Sequence, residues 1–295
     1  MSRAATVTKR TLIAFYDDQM THHAAALTYY ALMSLFPTAL VALSLLGLLG
    51  QYPETYDAIT GYLEDVVPPS VFDPIDRSLR RAFDSKGTAA TALVVSVPLA
   101  LYGTTGALEA ARRALNVVFE LKGSGRGFFR RKTIDVASTF VLMALVLASL
   151  VMVFVGGGFA EDVFGFIGLD ETAARVWSVA RWPGALMVAM LAFAFVYYVT
   201  PDVHQRAFHW LTPGAAVAVL LWLVATLAFS AYVSSVADVG AIYGTFAGAI
   251  LLVAWLWLTN VALLFGAELN AEIEREKQMA EGLPKGAMLN RRARG

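Results

Sequence analysis

Six long apolar runs exclude every lysine and arginine of this chain, so all 23 basic residues stand on the segments between them. The runs cover residues 24–50, 88–108, 134–158, 183–199, 212–233 and 245–267. A hydrocarbon core about 30 Å thick takes roughly 20 helical residues at about 1.5 Å each. Runs of 17 to 27 residues meet or approach that length. Backbone inside a bilayer must satisfy its own hydrogen bonds, so each run is read as a helix. A transmembrane barrel is a poor alternative, because its strands would be about ten residues long with a polar alternate face.

The expected class is therefore an all-α, polytopic membrane protein with six transmembrane helices. An even number of crossings returns both termini to one side, and that side then holds 17 of the 23 basic residues against 6 on the other. The positive-inside rule places the N and C termini in the cytoplasm. The expected division is an N-terminal cytoplasmic segment at 1–23, a six-helix transmembrane domain at 24–267 and a charged cytoplasmic tail at 268–295. Arg3, Lys9 and Arg10 precede the first run as in a signal peptide, but that run is too long for a secretory core and continues through Pro37 to Gly50. A formal net charge of +0 hides this sidedness and offers no argument for nucleic acid. The chain has no cysteine, which excludes disulfides, a thiolate nucleophile and cysteine zinc ligands.

The connecting segments carry patterns of their own. Residues 51–87 hold two amphipathic helical patterns, Tyr56, Ile59, Leu63, Val67 and then Phe72, Ile75, Leu79, Phe83, parted by Pro68 and Pro69. Residues 159–182 set Phe164, Ile167, Val176 and Trp177 among acidic residues. Amphipathic helices in these outer loops either pack on the helix ends or form a lid. On the inner side the helix from Thr88 is expected to run to about Glu120, before Gly123, Gly125 and Gly127 break it. Glu109, Arg112, Arg113 and Asn116 lie on that extension, and Glu109 and Arg113 have the spacing of an ion pair. Arg130, Arg131 and Lys132 then make a basic collar suited to anionic lipid headgroups.

Polar residues within apolar runs require a reason. Tyr29, Ser34 and Pro37 in the first helix, and Pro98 with Tyr102, Thr104 and Thr105 in the second, put a kink beside hydroxyls. Such an arrangement either lines a cavity or uses the hydroxyls to satisfy freed carbonyls. Gly244 and Gly248 form a small-xxx-small step for helix packing. Further along the last helix, Asn260 and Glu268 share a face, and a carboxylate at that depth is a functional candidate unless an arginine such as Arg112 or Arg113 pairs with it. His22, His23, His204 and His209 all fall at one interface near Asp17, Asp18 and Asp202, without the ligand spacing of a metal motif. No metal and no cofactor is expected.

Five segments, Ala24 to Pro37 (AAALTYYALMSLFP), Ala114 to Phe119 (ALNVVF), Tyr197 to Val203 (YYVTPDV), Leu211 to Trp222 (LTPGAAVAVLLW) and Ile242 to Leu269, resemble the YihY/BrkB family of bacterial inner-membrane proteins. The resemblance extends over roughly residues 17–274 and implies a multi-pass protein of the inner membrane. The family carries two inherited labels, a virulence factor linked to serum resistance and ribonuclease BN. The second fits poorly: a nuclease of that name would display a dense His-x-His-x-Asp-His cluster, and the nearest fragment here is Asp202-Val203-His204. With no Walker loop, nucleophile elbow or paired catalytic carboxylates, the chain is not read as an enzyme. The reading is a transporter-like or lipid-handling protein with a role in envelope integrity, whose partners are membrane lipids and a lipid or small-molecule substrate, not nucleic acid. The alternative is a structural or scaffolding protein of the cell envelope.

Overall fold

A computed structural model describes residues 3–48, 86–121, 127–154, 171–201, 212–235, 247–280 and 282. Among the described residues the structure is helical: α1 (Arg3–Asp17), α2 (Met20–Leu48), α3 (Lys86–Val118), α4 (Phe128–Phe154), α5 (Glu171–Val199), α6 (Pro213–Ser235) and α7 (Ala247–Ala280).

Four stretches of these helices are long and apolar enough to cross a membrane: Leu93–Val118, Arg175–Val199, Pro213–Val233 and Gly248–Ala280. This corrects the expected six spans to four among the described residues. The runs at 24–50 and 134–158 are the two that drop out, and both extend past the described residues. Their helices also begin on polar ground, α2 with His22, His23, Thr28, Tyr29, Tyr30 and Ser34, and α4 with Arg130, Arg131, Lys132 and Asp135. The sidedness count, built on six crossings, does not carry over.

Helix boundaries also move. Proline 183, expected to open a helix, lies inside α5, whose first turns take in Val176 and Trp177 of the expected outer segment. Proline deletes a single backbone donor, and a helix held on both sides continues through it. The amphipathic patterns at 51–85 and the small-xxx-small residue Gly244 lie outside the described residues, as do His204 and His209. In the other direction, residues 3–17 form a helix where only a terminal segment was expected. Val7 and Thr11, one turn apart, are its buried residues.

The chain divides into two compact units. One comprises Met1–Ala24, Leu108–Ala225 and Thr259–Gly295, the other Ala25–Ala107 and Thr226–Leu258. In the second unit α2 and α3 meet backbone to backbone, since a Cβ placed on Gly103 would fall 2.7 Å from the Ser34 Cα. Gly106 faces the Tyr30 ring in the same way. The hydroxyls near the prolines bond within their own helices: Ser34 donates to the Ala31 carbonyl at 2.9 Å, Thr104 to Ala100 at 2.8 Å and Thr105 to Leu101 at 2.7 Å. None of these acceptors is a carbonyl freed by Pro37 or Pro98. Val94, Val95, Leu99 and Tyr102 of α3 are exposed, as side chains facing lipid would be.

In the first unit the core is built from small and aliphatic residues: Ala114, Leu115 and Val118 of α3, Ala215, Ala218 and Val219 of α6, and Leu264, Ala267 and Ala271 of α7, with Met20 and Ala24 of α2. Small residues at these positions let helix backbones approach closely, which is how helices pack where water gives no hydrophobic drive. Phe15 of α1 packs on Phe265 of α7 at 5.8 Å between ring centroids, and Arg10 pairs with Glu276 at 3.0 Å. Those two contacts hold α1 along the second half of α7.

Candidate functional site

α7 organises the first unit because three of its faces are used differently. Toward α6, Gly214 and Gly266 stand against one another, and a Cβ on Gly266 would meet the Gly214 carbonyl, the Ala218 Cβ at 2.6 Å and the Tyr197 hydroxyl at 2.6 Å. Tyr197 of α5 donates to the Leu263 carbonyl at 2.5 Å. One turn on, Asn270 caps α6: its Oδ1 accepts from the Gly214 N–H at 2.8 Å and its Nδ2 donates to the Thr212 hydroxyl at 3.0 Å. Thr212 in turn accepts from the Ala215 N–H at 3.1 Å, as an N-cap does, and Pro213 fills the first helical position where no donor is needed. Replacing Asn270 by Ala is expected to lower stability by about 2 kcal/mol, read as a fall in the melting midpoint of purified protein, because one helix-terminal donor loses its acceptor.

The opposite edge of α7 carries the charged residues. Arg275 reaches the C-terminus of α3, donating to the Val118 carbonyl at 2.8 Å and pairing with Glu120 at 3.1 Å, while its other nitrogen binds Glu272 at 2.5 Å. A cation at a helix C-terminus satisfies an orphan carbonyl and complements the helix dipole. The α3 terminus itself closes with Glu120 at φ 52°, Leu121 N–H donating to Asn116 and Glu120 N–H to Val117. That geometry normally recruits glycine, and here Glu120 adopts it close to where the helix was expected to end, ahead of Gly123.

Glu268 lies one turn before Glu272 and is fully buried. Neither of its oxygens accepts from an N–H or O–H group. Asp18, one of the groups that act on it electrostatically, stands at the corner between α1 and α2, where Gln19 has φ 53°. Burial pushes the Asp18 carboxyl above the usual carboxylate range, against the opposing influence of Glu268 and of Arg275. His23, on the first turns of α2, is pushed below the usual imidazole range by burial, with Asp18 opposing. Two left-handed non-glycine residues, Gln19 and Glu120, thus flank the acids of this cluster, each at a helix break.

A second charged group stands at the α3–α4 contact. Arg112, 2% exposed, binds Asp135 of α4, also 2% exposed, and reaches Glu109 at 2.6 Å. Glu109 additionally lies 3.6 Å from Arg113, which is exposed. Arg112 is therefore engaged away from Glu268, and the arginine facing Glu268 is Arg275. Of the other residues singled out in the sequence, Asn116 and Asn260 are half-buried in the first unit and neither bonds Glu268. Tyr29, Ser34, Pro37 and Pro98 belong to the second unit, Tyr29 and Pro98 being exposed and Pro37 buried. Gly248 is half-buried on α7. Asp135, Asn270 and Arg275 went unrecognised in the sequence, and Asp18 was noted only beside the interfacial histidines, although Thr212-Pro213-Gly214 carried a legible N-cap that implied a partner for its donors.

The family model described as Virulence factor BrkB matches residues 11–289, nearly the whole chain, and takes in every residue of this cluster. The chain belongs to the BrkB family. A BrkB-family relative from Bacillus subtilis, named as a putative ribonuclease-like protein YfkH, is 25% identical over 260 residues, covering 88% of this chain and 92% of that protein. A UPF0761 membrane protein of Xanthomonas campestris pv. campestris is 24% identical over 269 residues, 91% of this chain and 61% of the relative. A UPF0761 membrane protein of Xanthomonas axonopodis pv. citri matches over the same shares. The chain thus spans about three fifths of the length of these Xanthomonas relatives. No solved structure matches the chain. The BrkB family comprises multi-pass proteins of the bacterial inner membrane of unknown biochemical function, and its model is described as a virulence factor, not as an enzyme. Among the described residues no group of three or more His, Cys, Asp or Glu side chains is placed to hold a metal ion.

Proposed function

We propose that this BrkB-family protein is transporter-like or lipid-handling and serves the integrity of the cell envelope, with Glu268 as its central functional group. The observation that carries the reading is a fully buried carboxyl, on a helix of membrane-crossing length, that receives no donor. A group that serves packing alone would be paired, as Arg112 is with Asp135. An uncompensated carboxyl at such a position costs stability, and its retention marks a task in moving ions or substrate. The ribonuclease-like wording of the Bacillus relative is not adopted, because the described residues supply no metal-ligand cluster for it.

The competing reading is a scaffold of the envelope, favoured by the exposed strip of Leu12, Ile13 and Tyr16 on α1. The two separate in a complementation experiment. In a strain lacking the gene, Glu268→Gln is expected to restore envelope-stress survival no better than an empty vector, at unchanged membrane abundance. Asn260→Leu tests the neighbouring stretch of α7. Full rescue by both variants would remove the assigned roles and leave the scaffold reading.

A further inference from the structure

We propose that the first turns of α4 bind a single anionic phospholipid, with Arg130 and Lys132 on its headgroup phosphate and the exposed face of α4 against an acyl chain. None of these residues is used in the function proposed above, and the site does not depend on it.

Three consecutive cations here have no counter-charge. The chain holds no acid between Glu120 and Asp135, while Arg130, Arg131 and Lys132 follow one another in that interval. Both flanking acids are taken by other cations, Glu120 by Arg275 and Asp135 by Arg112. Among the described residues no carboxylate pairs with any of the three; Arg130 is exposed, and Arg131 and Lys132 are half-buried. Cations in a first turn also stand at the positive end of the helix dipole, which adds to the demand for an anion.

The surface beside the cations identifies that anion as a lipid. At about 100° of rotation per residue, Phe129, Thr133, Ala137, Phe140 and Ala144 share one face of α4, and all five are exposed. Arg130 and Lys132 fall to either side of that face, whereas Arg131 falls on the opposite side with buried Asp135 and Ser138. The one polar side chain on the face, Thr133, donates to the Phe129 carbonyl of its own helix at 3.0 Å, so the face needs no water. From Thr133 to Ala144 the helix rises about 16 Å, close to half of a hydrocarbon core about 30 Å thick, the depth of one leaflet. Phe129, 85% exposed and edge-on to Phe128 at 5.6 Å between ring centroids, stands where charge gives way to apolar surface. A free phosphate would use the cations and leave this face uncovered. A phospholipid of the inner membrane uses both, and basic clusters beside a bilayer attract anionic headgroups.

The test is lipid binding to the purified full chain in a non-ionic detergent, read by native mass spectrometry. The probes are phosphatidylglycerol and phosphatidylcholine with identical acyl chains. Wild type is expected to prefer phosphatidylglycerol by at least about tenfold, the scale set by two basic residues at a membrane surface. Arg130→Gln with Lys132→Gln should reduce that preference to within about twofold, and Arg130→Gln alone should cut it by about threefold. Arg131→Gln, the same change of charge on the opposite side of the helix, should leave it unchanged. Phe129→Ser with Phe140→Ser should weaken both lipids alike and keep their ratio. No preference in wild type, or equal effects of Arg130→Gln and Arg131→Gln, would overturn the site, the second by showing diffuse surface charge. Loss of the preference in millimolar inorganic phosphate would reassign the cations to a free anion, and displacement of the lipid by a single-stranded oligonucleotide would reassign them to nucleic acid; either overturns the lipid site. If the double variant at Arg130 and Lys132 does not fold, the comparison of the two single arginine variants decides alone.

Discussion

Replacing Arg112 by Ala is expected to destabilise the protein by about 3 to 5 kcal/mol, the cost of stranding a buried charge whose partner has been removed. Arg112 and Asp135 are each 2% exposed, so neither can turn to water when the other is lost. The measurement is unfolding of the purified protein in mild detergent. Asp135→Ala should be comparably damaging, because it takes the buried carboxylate from a buried guanidinium on a helix of membrane-crossing length. The double variant Arg112→Met with Asp135→Leu should recover most of the loss, since two apolar side chains of similar volume avoid the desolvation cost altogether. A double variant no better than the sum of the singles would show that the pair is not the coupled unit described.

Gly266→Val is the second large effect. A side chain there meets the Gly214 carbonyl, the Ala218 methyl and the Tyr197 hydroxyl, and the nearest of these is backbone, which cannot swing aside. Overpacking of this kind costs about 1 to 3 kcal/mol and more where backbone must move, so the upper end is expected here, with displacement of α6 and loss of the Tyr197–Leu263 bond. Gly127→Ala is the control: nothing lies within 4 Å of its added Cβ, and its effect should stay within about 0.5 kcal/mol.

These two sites show which parts of the protein were legible in one dimension. The helices could be read because apolar length is a property of contiguous residues, and Glu268 stood out because a carboxylate in such a run is conspicuous by itself. Its surroundings did not. Arg112 was the reasonable partner on charge, but the fold commits Arg112 to Asp135 and gives neither Glu268 oxygen a donor. Asn270 looked like one polar residue in a charged tail until the N-terminus of α6 arrived beside it. The end of α3 near Glu120 could be read, but not what holds it. Arg275, distant in sequence, stabilises the left-handed turn at Glu120, a position where glycine is the usual residue.

The sequence by itself determined a helical membrane protein and its family, because bilayer length, hydropathy and motif order are all written along the chain. The tertiary structure decided how many helices keep membrane-crossing length and apolarity among the described residues, and which charges neutralise one another. It also decided that one buried acid, Glu268, is left without a hydrogen-bond donor. The physical reason is range: hydrophobicity and helix formation act over a few turns, whereas ion pairs and caps require groups from separate helices to arrive within about 3 Å of each other.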